Sequence, residues 1–132
     1  MVPTPKSTCV LYAPAAYWKL PESERARMGC GPGYIGDLLI PDRLWGLSIR
    51  PCCSVHDFMY RVGETEDDRS EADDVFVNNA LRLILAGTSN KFLLRLRLRR
   101  ARTYYQLCRW FGGPAFWSGK NLPSEEREVA VL

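Results

Sequence analysis

The sequence contains one histidine, His56, in a segment whose residue types could transfer a proton beside a metal ion. Asp57 follows it directly, and Tyr60 comes four residues after it. On a helix, His56 and Tyr60 share a face, whereas successive side chains point about a third of a turn apart. Asp57 therefore cannot simply orient the imidazole of its own neighbour. Its carboxylate is better suited to bind a hard cation next to the histidine.

A glycine-rich segment upstream can provide the further oxygen ligands that calcium prefers. Residues 29–33 read GCGPG, and glycines at such positions can turn backbone carbonyls inward because they adopt conformations closed to other residues. Calcium commonly combines several carbonyl oxygens with one or two carboxylates. The pattern predicts that this loop and Asp57 bind the metal while His56 transfers a proton.

A histidine that acts as a base also needs a carboxylate on its second nitrogen, which fixes the tautomer and stabilises the imidazolium. The second predicted helix offers two neighbouring candidates, Asp73 and Asp74. Asp73 shares a stripe with Ala80 and Ile84 and is expected to face inward. Asp74 is the alternative if the helix register differs by one residue. The acidic residues within 64–68 are expected to form a solvated helix start.

Two helices are predicted to carry these side chains. The first runs from about residue 51 to 62, because proline suits a first helical position and Gly63 provides a C-terminal stop. The second runs from about residue 68 or 70 to 86, with Asp68 or Ser70 as its N-cap. A short acidic connection between them predicts an antiparallel pair.

A third, basic helix is predicted from about residue 90 to 111. The leucine–arginine alternation at residues 94–99 alone suggests a strand, but the wider apolar stripe has helical spacing. The stripe consists of Leu94, Leu98, Ala101, Tyr105 and Cys108. Seven cations and no acid lie within residues 91–109, which could meet anionic lipid, nucleic acid or an acidic partner, or form a solvated face that pairs with residues 64–74.

The bulk composition indicates one ordinary globular domain. The chain has 132 residues, 46% hydrophobic and 25% charged, and a net charge of +3 that does not by itself argue for nucleic acid. The predicted fold is all-α over residues 1–132, with an irregular N-terminal arm at 1–28, a loop at 29–46 and a tail at 115–132. Within the arm, residues 21–27 could form a brief helical turn. Neither a signal peptide nor an apolar run of about 18 residues is recognisable, so a soluble protein is expected.

These residues resemble the motifs of the calcium-dependent phospholipase A2 superfamily. Residues 52–60 (CCSVHDFMY) look like its signature C-C-x-x-H-D-x-C-Y, with Met59 in place of a cysteine. Residues 30–33 (CGPG) are similar to its calcium loop, in the Gly-Pro-Gly form of parvovirus capsid enzymes. Residues 72–76 (ADDVF) resemble the viral and bacterial segment that supplies the partner aspartate. The three motifs appear in order over residues 29–86.

The resemblance implies calcium-dependent hydrolysis of the sn-2 ester of phospholipids. His56 would be the general base, Asp73 its partner and Tyr60 the support of that aspartate. Asp57 would bind calcium through its side chain, and the loop would bind it through the backbone carbonyls of Gly29, Gly31 and Gly33.

The resemblance also implies a disulfide between Cys30 and Cys53, which would leave Cys52 to reach Cys108. Gly29 replaces the family's leading tyrosine, and Tyr34 replaces a glycine.

A second resemblance covers nearly the whole chain. Residues 37–45, 56–60, 69–73 and 109–114 look like an uncharacterised family of small phage and prophage proteins. Both resemblances place a His-Asp pair on a helix that faces an Ala-Asp helix. The second one is compatible with a phage or bacterial source but implies no particular function. A phage enzyme and a structural virion component, which would have virion proteins as partners, both fit it. The location stays open, with the virion and the bacterial cytoplasm as the two options.

Four functions remain open from the sequence, and a phospholipase A2-like esterase is favoured. The basic third helix would then dock on a phospholipid membrane with the help of nearby aromatic residues, which could instead pack in the core. Those aromatics are Trp110, Phe111, Phe116 and Trp117. The alternatives are a non-catalytic phage structural or interaction protein, a hydrolase of another bond such as a cell-wall bond, and, least favoured, a nucleic-acid-binding protein.

Overall fold

The computed structural model describes residues 1–3, 10–28, 34–35, 38–39, 42–117 and 120, and it describes side chains for all of these except 34–35 and 38–39. Helices dominate the described chain, which confirms the predicted helical class, but three two-stranded antiparallel hairpins accompany them. In chain order the elements are β1 (Val2–Pro3), β2 (Tyr12–Ala13), α1 (Ala15–Trp18), α2 (Glu22–Arg27), β3 (Tyr34–Ile35), β4 (Leu38–Leu39), β5 (Arg43–Leu44), β6 (Leu47–Ser48), α3 (Arg50–Val62), α4 (Glu66–Gly87), α5 (Lys91–Phe111) and α6 (Gly113–Trp117).

Helix α3 has nearly the predicted bounds because the local start and stop signals are strong. Pro51 lies in its first turn, where the missing N–H costs nothing. Gly63 ends it and donates its N–H to the Met59 carbonyl at 3.0 Å. A Cβ at Gly63 would lie 2.6 Å from a ring carbon of Phe116, so glycine also permits the close approach of α6.

Helix α4 begins earlier than predicted, and the proposed N-caps Asp68 and Ser70 are wrong. Thr65 is the N-cap: its hydroxyl accepts the Asp68 N–H at 3.0 Å, and the Asp68 carboxylate accepts the Thr65 N–H at 3.0 Å. This reciprocal pair is a capping box with aspartate at its third position. Hydrogen bonds from the backbone N–H groups of Glu64 and Thr65 hold the pKa of Asp68 below its ordinary value.

Helix α4 packs against both α3 and α5. The connections on either side of it are short, which favours antiparallel neighbours. The contacts agree with this, since Arg69 near the start of α4 donates to the carbonyl of Cys108 near the end of α5 at 2.9 Å. The buried face of α4 follows helical spacing and comprises Arg69, Ala72, Asp73, Val75, Phe76, Asn79, Ala80 and Ile84.

The segment predicted as a loop contains strands within its described part. Strands β5 and β6 form a hairpin whose turn residues, Trp45 and Gly46, have φ values of 45° and 83°. Positive φ at both turn positions characterises the tight turn that matches strand twist. Arg97 of α5 fixes this hairpin by donating to the Leu44 carbonyl at 2.9 Å and to the Trp45 carbonyl at 2.6 Å.

The N-terminal arm is more ordered than predicted within its described residues. The helical turn expected at residues 21–27 is α2, and α1 precedes it. Asn79 of α4 holds the arm by accepting the Tyr12 N–H and donating to the Tyr12 carbonyl, both at 2.8 Å. Because a fully buried amide must satisfy both its donor and its acceptor, this pairing fixes β2 against α4.

The structure decides between docking and core packing, the two alternatives left open, for three of the aromatic residues at the end of α5 and in α6. Phe116 of α6 is fully buried, and its ring centroid lies 5.2 Å from that of Tyr60. It is therefore a core residue and cannot dock on a membrane, whereas Trp110 and Phe111 are exposed. Among the described helices, none combines the length and apolarity that crossing a bilayer requires.

Candidate active site

His56 and Asp73 meet between α3 and α4. Nε2 of His56 lies 2.7 Å from Oδ1 of Asp73, within hydrogen-bond distance. The Asp73 side chain is fully buried, and the His56 side chain is 12% exposed. Since α3 and α4 run antiparallel, the middle of α3 faces the first half of α4, which brings these two residues together.

Three hydrogen-bonding groups and one further cation surround the Asp73 carboxylate in the described structure. Besides His56, the Tyr60 hydroxyl donates to Oδ1 at 2.6 Å, Arg109 donates to Oδ2 at 2.8 Å, and a nitrogen of Arg69 lies 3.7 Å from Oδ2. Burial by itself raises the pKa of the Asp73 carboxyl. The hydrogen bond and charge of His56, together with Tyr60 and Arg109, outweigh burial and hold that pKa below its ordinary value. Asp73 is therefore a stable anion.

The two arginines beside Asp73 were not singled out as site residues from the sequence. Arg69 is held by donating to Glu66 at 2.8 Å and to the Cys108 and Arg109 carbonyls at 2.9 and 3.2 Å. Its position four residues before Asp73, on the same helix face, was a usable signal. Arg109 comes from the end of α5, 36 residues away, and only helix packing brings it to Asp73.

Asp74, the alternative partner, does not contact His56. It is exposed and accepts a hydrogen bond from the Tyr105 hydroxyl at 2.8 Å. The structure thus places Asp73 rather than Asp74 beside the imidazole. Successive residues of a helix point about 100° apart, so Asp73 lies on the buried side of α4 and Asp74 lies on its solvent side.

The imidazole of His56 is fixed by ring contacts as well as by its bond to Asp73. Its centroid lies 4.1 Å from the Tyr60 ring and 5.2 Å from the Phe76 ring. Because an ionised carboxylate can only accept, the neutral histidine must carry its proton on Nε2 and its lone pair on Nδ1. Burial of Tyr60, reinforced by the charge of Asp73, raises the pKa of the Tyr60 hydroxyl, which stays a donor.

Asp57 is the described residue that suits the predicted calcium site. Its side chain is 30% exposed, and one carboxylate oxygen, Oδ2, pairs with Arg61 at 3.1 Å. No hydrogen bond to Oδ1 from a described residue is present, so an oxygen remains for a hard cation next to His56. The predicted carbonyl ligands Gly29, Gly31 and Gly33 lie outside the described residues.

A second metal-type grouping consists of His56, Asp73 and Cys108, whose ligand atoms lie within 4.8 Å of one another. Both oxygens of Asp73 already accept hydrogen bonds. Burial and the charge of Asp73 raise the pKa of the Cys108 thiol, which opposes the thiolate that metals bind. This grouping does not suit calcium, which takes oxygen ligands.

The cysteines correct one expectation. Cys108 is a free, buried thiol, so the suggested pairing of Cys52 with Cys108 is wrong. Cys53 forms a disulfide, and Cys30, the partner that the resemblance implies, lies outside the described residues. The disulfide of Cys53 fixes α3 three residues before His56.

Comparisons with protein-family models, with curated protein sequences and with solved structures found no match to this chain. The geometry around His56 is consequently the main ground on which a function can be inferred.

Proposed function

We propose that the protein is a calcium-dependent esterase that hydrolyses the sn-2 ester of phospholipids. The observation that carries this proposal is the pairing of His56 with a fully buried, ionised Asp73, supported by Tyr60. A buried aspartate that orients a partly accessible histidine is the arrangement of a general base. Asp57, the residue after His56, has an available carboxylate oxygen that would bind the calcium ion this reaction needs.

The proton moves through His56 in two steps. Nδ1 takes a proton from the water that attacks the ester carbonyl, while Nε2–H stays bonded to Asp73. The imidazolium then returns that proton to the leaving alkoxide of the glycerol backbone as the carbon–oxygen bond breaks. Asp73 remains ionised throughout and stabilises the imidazolium. Calcium, held by Asp57 and the carbonyls predicted at residues 29, 31 and 33, would polarise the ester carbonyl.

Tyr60, Arg69 and Arg109 serve as positioning residues through Asp73. Tyr60 and Arg109 donate to the two carboxylate oxygens, and the charge of Arg69, 3.7 Å away, also favours the ionised form. A carboxylate bound in this way cannot rotate away from Nε2, so the histidine keeps one tautomer and one ring orientation.

The exposed ridge of α5 supports a phospholipid membrane as the partner. Phe92 is 70% exposed near one end and Trp110 is 68% exposed near the other, and the exposed Arg95, Arg99 and Arg102 lie between them on the same side. Cations flanked by aromatic residues suit an anionic interface.

We expect changing Arg95, Arg99 and Arg102 to Gln to weaken binding to anionic vesicles by about 1 kcal/mol per residue. Sedimentation with anionic and with neutral vesicles measures this, and equal binding by the triple variant would exclude α5 as the docking face.

The proposed activity is tested with phospholipid vesicles labelled in the sn-2 chain, in calcium and in chelator. The native protein should release labelled fatty acid only in calcium, and His56→Gln should lower the rate by about 10²–10⁴-fold. Asp57→Asn should raise the calcium concentration needed. Arg61→Gln is the matched control, because it alters the neighbour of Asp57 and leaves the carboxylate in place.

The contrary result is equally clear. Folded native protein that releases no fatty acid from any headgroup class in calcium would exclude this function. It would favour the non-catalytic structural or interaction role. Release that persists in chelator would point to a hydrolase that does not use a metal.

A further inference from the structure

A cavity of about 550 Å³ lies apart from the His56 site. Its walls come from the N-terminal arm, from the first turns of α3 and from Leu83 of α4. None of His56, Tyr60 or Asp73 lines it. Val55, which does, precedes His56 and points about 100° away from it around α3. The volume falls within the range of roughly 300–1,000 Å³ that is usual for small-molecule sites.

The inner wall of this cavity is apolar. Leu11, Tyr17, Met28 and Val55 line it and are all buried. Arg50, at the outer side of the cavity, is exposed to solvent. The cavity therefore has an apolar interior and a solvent-exposed polar rim, which suits a molecule with an alkyl chain and one polar end.

Arg25 gives the cavity its charge. The Arg25 guanidinium carbon lies 5.8 Å from the Tyr17 ring centroid and 5.6 Å from that of Trp18, so two aromatic faces hold it. Its Nε is buried and has no hydrogen-bond partner among the described residues. A buried donor without a partner costs free energy. Arg25 also lines the cavity, so its positive charge would attract an anion bound there.

The surroundings of Arg25 favour an anion over a cation. Arg50 is a second cation in the lining, partly engaged by the Ala26 carbonyl at 2.9 Å and by Asp42 at 3.5 Å. Glu22 also lines the cavity but forms no ion pair with either arginine in the described structure. Among the described residues, the lining thus contains two cations and one anion.

We infer that this cavity binds a single-chain anionic amphiphile, with the alkyl chain against the Tyr17, Met28 and Val55 wall and the anionic group on Arg25. A fatty carboxylate and an alkyl phosphate share this chemistry. The inference does not depend on ester hydrolysis, because no described residue lines both the cavity and the His56 site.

Trp18 lines the cavity and reports on its occupancy. The experiment measures quenching of tryptophan fluorescence by 12-bromododecanoate, by 12-bromododecyl phosphate and by the corresponding trimethylammonium cation, all below micelle formation. Chelator and a His56→Ala background keep hydrolysis out of the measurement. The Trp18→Phe variant identifies the share of quenching that arises at this residue.

We expect one or both anions to quench Trp18 and the cation to bind at least tenfold more weakly. Arg25→Met, which keeps length and removes charge, should weaken anion binding at least tenfold. Arg27→Met is the matched control, since Arg27 is exposed on the same helix and does not line the cavity. Leu83→Phe should weaken binding of both anions by filling space. Equal binding of anion and cation, or native affinity in a folded Arg25→Met variant, would overturn the inference.

Discussion

Two buried charged sites tie α5 to the rest of the molecule, and they are built differently. At one end, Arg97 donates to the carbonyls of Leu44 and Trp45 and, at 2.7 Å, to the Thr88 hydroxyl. At the other end, Arg109 donates to the Asp73 carboxylate. Among the described residues, every acceptor of Arg97 is a neutral oxygen, whereas Asp73 lies among groups that carry or can gain charge.

The difference separates a structural site from a chemical one. Arg97 satisfies the carbonyls of the hairpin turn, and no partner among them titrates. The site around Asp73 includes His56, which is partly exposed and has one nitrogen that is not bonded to Asp73. Buried ion pairs are weak stabilisers compared with well-packed apolar residues. The charges at Asp73 are thus better explained by what they do to His56 than by stability.

The largest effect that would sharpen this comparison is expected from Asp73→Asn. The change keeps shape but removes the anion that fixes the Nε2–H tautomer of His56. Hydrolysis in the vesicle assay should fall by about 10²–10⁴-fold. Stability in urea should also fall, by about 3–5 kcal/mol, because Arg69 and Arg109 lose their buried counter-charge.

Asp74→Asn is the matched control for that change. Asp74 is exposed and bonds only Tyr105 among the described residues. Its variant should keep native activity and stability to within about 0.5 kcal/mol. Loss of activity in Asp74→Asn, with retention in a folded Asp73→Asn protein, would reverse the assignment of the partner aspartate.

Arg97→Met tests the other side of the comparison. It leaves the Leu44 and Trp45 carbonyls without their donor, at a cost of about 1–3 kcal/mol for each acceptor that stays buried. The midpoint of urea unfolding should fall, while the hydrolysis rate per folded molecule should stay native. Arg95→Met, on the exposed side of α5, should leave the midpoint unchanged. A rate that falls with Arg97→Met beyond the loss of folded protein would show that the two sites are coupled.

Two adjacent glycines offer a smaller and more local test of the Asp73 site. A Cβ at Gly112 would lie 2.5 Å from both the Tyr60 hydroxyl and the Cys108 carbonyl oxygen, whereas a Cβ at Gly113 would meet nothing within 4 Å. Gly112→Ala should cost about 1–3 kcal/mol through overpacking and should lower activity by displacing Tyr60 from Asp73. Gly113→Ala should do neither. Equal activity of the two folded variants would argue against a role for Tyr60 in holding Asp73.

The smallest effect expected is a difference in acid sensitivity. The folded pKa of Asp73 is depressed, so the stability that its ionised form contributes is present above the unfolded pKa of about 3.9 and is lost as pH falls through the folded value. Urea unfolding measured from pH 6 downward should show a shallower loss of stability in Asp73→Asn than in the native protein. Arg97→Met should keep the native slope, since none of the acceptors of Arg97 in the described part of the chain titrates. If the stability of native protein and of Asp73→Asn fell equally steeply with pH, the lowered pKa of Asp73 would be contradicted.

The sequence predicted the elements that depend on local signals. Pro51 and Gly63 bracket α3, and the break at residues 88–90 separates α4 from α5, because capping and turn preferences act over a few residues. The start of α4 was missed because several acids could serve as caps, and only the Thr65–Asp68 geometry selects one. The burial of Phe116 was left open as well, since it depends on α6 returning to α3.

The sequence by itself determined that His56 and Tyr60 share one face of a helix and that an aspartate pair follows on the next. These facts rest on helical periodicity, which is a property of the chain alone. Tertiary structure decided that Asp73 faces His56, that Asp74 faces Tyr105, and that Arg109 completes the site. Such choices depend on the rotation and offset of packed helices, and interlocking side chains from distant parts of the chain set both.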